Sequence, residues 1–458
     1  MNIEVLTEAT AFSVIVVPLI FFALIAAYVA LKQDHSEKVL IRTISFVMLT
    51  SFILSFLVGI YFVFSDAHRF VADFGTWYQL EDYKFNVSFI FDSLSIPMLI
   101  LSNFLIGIVG HFSSRYLHKD DGFVRFFLLY LLFSSGMSLV IVGATLDLIM
   151  MGWELVGISS ALLIGFYQKR TGPVNHGFKA FSYYRVCDLG LLLAAGFWHM
   201  AFESSNLSVL SELGGGIQYS AEIILVCVSV FIASLAKSAQ LPMASWLPSA
   251  MEGPTPSSAI FYGALSIHAG AYLLMRMFPL IEGLPWLRVF IGFVGIATAV
   301  YGAFVGRSRN DIKTLLAYAS LSQVGIIFFE ISLGFNRLAL VHLIGNSLLR
   351  SWQFLSSPSL LHDIHILKLP ANTSSRFLSL LPHKMRYWIY RQSLMGGNLD
   401  SAIFKLIVTP VVKLANLVDG FDKRWLYFID DETLEQSTRI DIPTSKETSD
   451  GIILNIRQ

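Results

Sequence analysis

The chain has 458 residues, of which 55% are hydrophobic and 14% charged, with Lys+Arg and Asp+Glu balanced at 32 each and a mean hydropathy of +0.65. Soluble domains carry about 25% charged residues, so this composition excludes a water-exposed globule, and the balanced charge offers no basic face for nucleic acid. Cys187 and Cys227 both sit in apolar runs, which leaves no disulfide framework to read.

A bilayer core takes about 20 apolar residues per helix. In chain order, the apolar runs predict spans over 9–31, 43–64, 86–112, 126–144, 146–167, 180–202, 220–247, 257–278, 286–305, 315–333 and 338–355. The first run follows no Lys or Arg and precedes no small-residue cleavage pattern, so it reads as a span and not as a removable signal. The runs are too long for barrel strands and do not alternate polar with apolar. The expected fold is therefore an all-α polytopic transmembrane bundle of about eleven spans over residues 1–355, with a broken helix near 237–242.

Positive residues gather in alternate connections: Lys32, Lys38 and Arg42; Arg115, Lys119 and Arg125; Lys169, Arg170 and Lys179; Arg307, Arg309 and Lys313. The connection 203–219 has none, and 65–85 carries four acidic residues against Arg69 and Lys84. The positive-inside bias then places the N-terminus outside and the tail in the cytoplasm.

Past about residue 355 the composition turns polar and basic, so 356–458 is expected to be a cytoplasmic tail. Within it Phe404, Ile407, Val408, Val411, Leu414, Val418 and Phe421 fall at helical spacing, opposite Lys405, Thr409, Lys413, Asn416 and Lys423. This pattern predicts an amphipathic helix over about 399–428 that lies on membrane lipid or against a partner, with a kink at Pro410; packing under the chain's own bundle fits equally well. Phe404, Ile407, Val411, Leu414 and Val418 are its candidate docking residues.

Ionisable groups at membrane depth are costly and by default mark ion pathways. Glu154 stands in Met151-Gly152-Trp153-Glu154-Leu155-Val156-Gly157 and Lys237 in Ala236-Lys237-Ser238-Ala239-Gln240-Leu241-Pro242. Pro242 breaks the helix at depth, which is tolerated where backbone lines protein or a water-filled cavity. Burial penalises a charged lysine and a nearby carboxylate such as Glu154 restores it, so Lys237 is placed to load and release a proton. Arg185 and Asp188 share a helix face three residues apart and serve equally as helix glue or as a coupling ion pair. His268 and His342 are candidate relays, although a single span histidine is more often a plain hydrogen-bonder. No Gly-rich phosphate loop, Cys/His metal spacing or nucleophile elbow occurs, so neither a metal nor a cofactor is expected in this chain, nor catalysis of its own.

These residues resemble the antiporter-like membrane subunits of respiratory complex I and the large subunit of Mrp-type sodium/proton antiporters, from about 85 to 355. The most specific stretch is Ala236 to Pro242 followed by Trp246-Leu247-Pro248-Ser249-Ala250-Met251-Glu252-Gly253-Pro254-Thr255-Pro256, with Asp311-Ile312-Lys313-Thr314 in support. The resemblance implies inverted five-helix repeats and a coupled proton pair formed by Glu154 and Lys237. It adds Lys313 to the proton-translocating set with His268 and His342. The chain departs from the family pattern at Tyr262, Asn346 and Arg350, where histidines and a lysine are usual, and the second repeat reads as truncated. Its length and basic amphipathic tail resemble the membrane subunit (DabB type) of the DAB inorganic-carbon accumulation complexes of the cell inner membrane. That implies a large zinc-binding cytoplasmic partner related to carbonic anhydrases, with this chain coupling cation flux to carbon dioxide hydration. An antiporter-type subunit of a redox-linked or Mrp-like complex, and a non-conducting membrane anchor for a peripheral enzyme, are the alternatives.

Overall fold

The computed structural model describes residues 3–31, 36–64, 69–80, 83–202, 204, 206–212, 219–367, 383–394 and 404–429. The polar segments 368–382, 395–403 and 430–458 of the expected tail lie outside the described residues, as do 203, 205 and 213–218 of the 203–219 connection. By contacts the chain forms two units, one up to Ile403 and one from Phe404.

The first unit is a helical bundle: α1 (Ile3–Leu31), α2 (Glu37–Phe64), α3 (Ser95–Tyr116), α4 (Phe123–Val142), α5 (Leu146–Ile164), α6 (Thr171–Phe202), α7 (Ala221–Lys237), α8 (Ala269–Arg276), α9 (Pro285–Gly306), α10 (Ile312–Ser332), α11 (Asn336–Leu367) and α12 (His383–Leu394). Nine described segments are long and apolar enough to cross a bilayer, and the chain is a multi-pass membrane protein. Two of the expected spans are not among the nine. In the run 220–247 the long α-helix stops at Lys237 and only short 3-10 and α turns follow from Met243, and 338–355 belongs to the polar helix α11, which continues to Leu367. A helix needs apolar side chains only where it meets lipid, so a boundary drawn from hydropathy at 355 falls short of the backbone's own end.

The connection expected at 65–85 is instead a β-hairpin, β1 (Arg69–Leu80) paired antiparallel with β2 (Tyr83–Asp92). Phe85, Val87, Phe89 and Phe91 alternate with Lys84, Asn86 and Ser88, the period-two pattern of a strand. The run therefore turns helical only at Ser95, not at 86. Asp92 makes the junction: its Oδ1 accepts from the backbone N–H groups of Leu94 (3.0 Å) and Ser95 (2.8 Å), while Arg276 donates to its carboxylate. Burial alone would raise the Asp92 carboxyl, but the Arg276 guanidinium together with the Ser95 and Leu94 N–H groups outweighs it and holds the group below the ordinary aspartate range.

Helices approach closely where glycines face each other. A methyl group on Gly152 of α5 would lie 2.5 Å from Gly136 O of α4, and one on Gly325 of α10 would lie 2.5 Å from Gly295 O of α9. Such small-residue contacts bring backbones together where lipid gives no hydrophobic drive. The outer faces keep Val289, Phe293, Val300 and Trp352 exposed, as lipid-facing positions require. The segment Thr255–Arg276, in contrast, has its most apolar stretch 100% buried and forms the bundle's centre. It is irregular: wide π turns over Ser258–Ala264, tight 3-10 turns over Ser266–His268, then α8.

The second unit contains π-type turns over Phe404–Val408 followed by α13 (Thr409–Ile429). The chain is helical on both sides of Pro410, in π-type turns before it and α turns after it, so the change of turn type falls at the proline where a kink is expected. Leu414, Leu417, Val418 and Phe421 are exposed, Val411 is half-buried and Ile407 is buried.

Candidate functional site

The site is built around the end of α7. Lys237 is its last residue, Ala239 takes a left-handed φ of 52°, and the Leu241–Pro242 peptide is cis. The freed backbone groups find partners, as they must at depth. The Trp246 indole donates to Ala236 O (3.0 Å) and the Leu241 N–H to Thr298 Oγ1 (3.0 Å). Lys179 donates to Ser245 O (3.2 Å), and Lys313 donates to Met251 O and Gly253 O (2.9 Å each). The Lys313 ammonium is thus occupied in holding the non-helical stretch after the break, and the structure does not bring it to Lys237.

Lys237 is fully buried. Its ammonium donates to Trp153 O (3.0 Å) and lies 4.9 Å from the ring centroids of both Trp153 and Tyr184. Cation–π contacts of this kind hold a charged group without a counter-ion. Gly157 leaves the space it needs, since a methyl group there would come within 3.4 Å of Nζ.

Glu154 is one residue from the Trp153 carbonyl, but it makes no ion pair with Lys237 among the described residues. Arg185 holds it instead, with Nη2 2.6 Å from Oε2 and Nη1 3.3 Å from Oε1. The same Nη2 lies 2.8 Å from Asp188 Oδ2, so one guanidinium is shared between two carboxylates. Both Asp188 oxygens are buried and accept no well-aligned hydrogen bond among the described residues. Glu154 lines a cleft of about 450 Å³ with Asp147, Phe85 and Met151, and Asp147 pairs with His199 at 3.2 Å.

Inward from Lys237, the Tyr184 hydroxyl bonds Ser160 Oγ (3.0 Å), which bonds the Tyr262 hydroxyl (2.9 Å). Tyr262 therefore occupies its position with a partner and not as a lone replacement. His268 is fully buried, its Nδ1 donating to Ala264 O (2.5 Å) and its Nε2 accepting from Asn346 (3.0 Å), the arrangement of a neutral imidazole. His342 lies one helical turn from Asn346, between Glu330 and Gln323.

Sequence reasoning missed the Trp153 carbonyl, Tyr184, Ser160, Glu330 and Gln323. A backbone acceptor leaves no residue-type signal. Glu330 does leave one, as an acidic residue inside the 315–333 run. Among the described residues no cluster of three or more His, Cys, Asp or Glu side chains could hold a metal ion.

The comparisons with known proteins meet this geometry. The family model described as NADH:quinone oxidoreductase/Mrp antiporter, TM matches residues 144–385, and that of the complex I chain 5 N-terminus matches 77–127. The chain is 36% identical over 294 residues to the chloroplastic NAD(P)H-quinone oxidoreductase subunit 5 of Gossypium barbadense, covering 63% of this chain and 40% of that one. It is 34% identical to NAD(P)H-quinone oxidoreductase chain 5 of Synechocystis over 302 residues, 65% of this chain and 44% of the relative. It therefore spans less than half the length of these relatives. Among solved structures, the Mrp complex from Dietzia sp. DQ12-45-1b superposes with a TM-score of 0.66 at 24% identity, over 79% of this chain and 38% of that one, which shows a shared fold. With its matched region enclosing Glu154, Arg185, Lys237 and His342, the chain belongs to the antiporter-like membrane subunit family of NADH:quinone oxidoreductases and Mrp antiporters.

Proposed function

We propose that this chain is the proton-conducting membrane subunit of an inorganic-carbon accumulation complex, coupling cation flux to a large zinc-binding, carbonic-anhydrase-like partner in the cytoplasm. The observation that carries the conducting role is Lys237: a fully buried lysine at a helix break, held by a carbonyl and two aromatic rings. A neutral amine keeps the hydrogen bond to the Trp153 carbonyl and loses only the cation–π attraction, so both forms have a partner, which a proton carrier needs. Arg185 supplies the coupling, because a guanidinium 2.6 Å from Glu154 and 2.8 Å from Asp188 can give up either carboxylate. Whichever carboxylate the guanidinium leaves is free to favour the protonated form of Lys237, and the lysine sheds its proton when the guanidinium engages both.

The partner rests on the exposed apolar stripe of Leu414, Val418 and Phe421, which has to be covered. Its zinc belongs to the partner, and this chain performs no chemistry beyond proton movement. We place the N-terminus outside and the tail inside an inner membrane from the loop charges. The second reading is a subunit of a redox-linked or Mrp-like complex, favoured by the names of the relatives. Purifying the intact complex and identifying its other subunits separates the two: a zinc-binding cytoplasmic protein is expected, and quinone-reductase or further antiporter subunits instead would overturn the carbon-accumulation reading.

A further inference from the structure

The helix α12 is basic and is fastened at one end to a span. From His383 to Leu394 it carries no acidic residue. The Ser393 hydroxyl, 4% exposed, lies 2.8 Å from Ser308 Oγ and 3.1 Å from Phe304 O. Phe304 O is one of the last four carbonyls of α9, which find no partner inside their own helix. In return, Arg309 Nη2 donates to Leu394 O (3.2 Å), a cation on a carbonyl at the C-terminal end of α12. Because α9 is long and apolar enough to cross the bilayer, these bonds hold the end of α12 at the level of the membrane surface, beside the cluster Arg307, Arg309 and Lys313. Lys384, Trp388 and Arg391, spaced by four and three residues, share the face turned away from Ser393. All three are exposed, as are Tyr387 and Tyr390, and Trp388 is 60% exposed. Three open aromatic rings are unfavourable in water and well placed among lipid head groups, where an apolar ring and a polar edge both find a partner.

We infer that α12 is a binding site for anionic phospholipid, lying along the membrane surface with Tyr387, Trp388 and Tyr390 among the head groups and Lys384 and Arg391 on their phosphates. Charge complementarity and position select lipid over a soluble protein. The two cations stand about one turn to either side of Trp388, with no carboxylate on the helix to compete, and the anchored end keeps them at head-group depth. Arg307, exposed just past the end of α9, adds a third cation beside the anchor. Each cation near an anionic leaflet strengthens the contact roughly fivefold, so Lys384 and Arg391 together supply about thirtyfold. Since Ser393 and Arg309 tie α12 to α9, head-group binding also secures the last turn of that span. No group of the Lys237 site takes part, so the inference stands apart from the conducting role.

The test places the full-length protein, in its intact complex, in phosphatidylcholine nanodiscs doped with brominated phosphatidylglycerol or, at the same mole fraction, brominated phosphatidylcholine. Bromine quenches nearby indoles, and the difference between wild type and Trp388→Phe isolates the Trp388 signal. Brominated phosphatidylglycerol should quench Trp388 several-fold more than brominated phosphatidylcholine. The preference should vanish in Lys384→Gln/Arg391→Gln and shrink at about 1 M salt, where screening shortens to about 3 Å. Lys384→Arg/Arg391→Lys keeps both charges and should keep the preference. All these side chains are exposed, so the variants should assemble as the wild type does. Equal quenching by the two lipids would reduce α12 to an aromatic anchor without head-group recognition and overturn the inference. Absence of Trp388 quenching by either lipid would overturn it too, and quenching that emerges only after peripheral subunits are stripped would assign the face to a protein partner.

Discussion

Gly157 shows how tightly single residues set the Lys237 pocket. A methyl group there meets the ammonium at 3.4 Å, at the edge of ordinary contact, whereas a branched side chain has no room. Gly157→Ala should conduct nearly as well as wild type, and Gly157→Leu should push the amine off the Trp153 carbonyl and stop proton flux without removing any titratable group. Flux in proteoliposomes checks both, and a conducting leucine variant would place the proton path elsewhere. Tyr262 makes a milder case. Tyr262→Phe removes one buried neutral hydrogen bond to Ser160 and should cost about 1 kcal/mol in detergent unfolding, since Ser160 keeps its Tyr184 partner. Much at this scale is legible in sequence: a lysine before a proline within an apolar run marks both the charge and the break. Pairing is less so. The expected contact of Glu154 with Lys237 gives way here to Arg185, 31 residues on, because one guanidinium satisfies two carboxylates at once.

At the scale of elements, the hairpin is the part that hydropathy hides. The apolar residues of β2 run directly into α3, so a window sees one continuous span, and only the two-residue alternation from Lys84 to Phe91 betrays a strand. Asp92 is what fixes that strand to the bundle. Asp92→Asn strands a 7%-exposed Arg276 without its counter-ion and should destabilise the fold by about 3–5 kcal/mol, read as a lower unfolding temperature in detergent. The same pair gives a pH signature. Because the folded carboxyl titrates below its ordinary value, its contribution is present at pH above the unfolded value of 3.8 and disappears as pH falls through the folded one. Protection of the β2 amides, measured against their unstructured exchange rate at each pH, should therefore fall in acid in the wild type and already be low at neutral pH in Asp92→Asn. Helix contacts are equally exacting: Gly152→Ala places a methyl group 2.5 Å from Gly136 O and should cost about 1–3 kcal/mol.

For the whole molecule, a helical membrane bundle follows from composition and run length alone, because a bilayer allows a polypeptide few other forms. The interior of the Thr255–Arg276 segment does not follow, since its π and 3-10 turns answer to packing on every side and not to any local pattern. The amphipathic helix α13 is legible from its spacing, and its exposed Leu414, Leu417, Val418 and Phe421 state a need for cover. Deleting Phe404–Ile429 should release the proposed cytoplasmic partner while leaving the bundle inserted; a partner that still co-purifies in full would assign docking to another surface. Proton flux through the assembled complex with Lys237→Met and Lys237→Arg measures directly whether Lys237 carries the transferred proton. Methionine keeps the length and removes titration, and arginine keeps the charge but releases no proton at accessible pH. Both complexes should assemble and both should be inactive, whereas a conducting arginine variant would make Lys237 a fixed counter-ion and contradict the account.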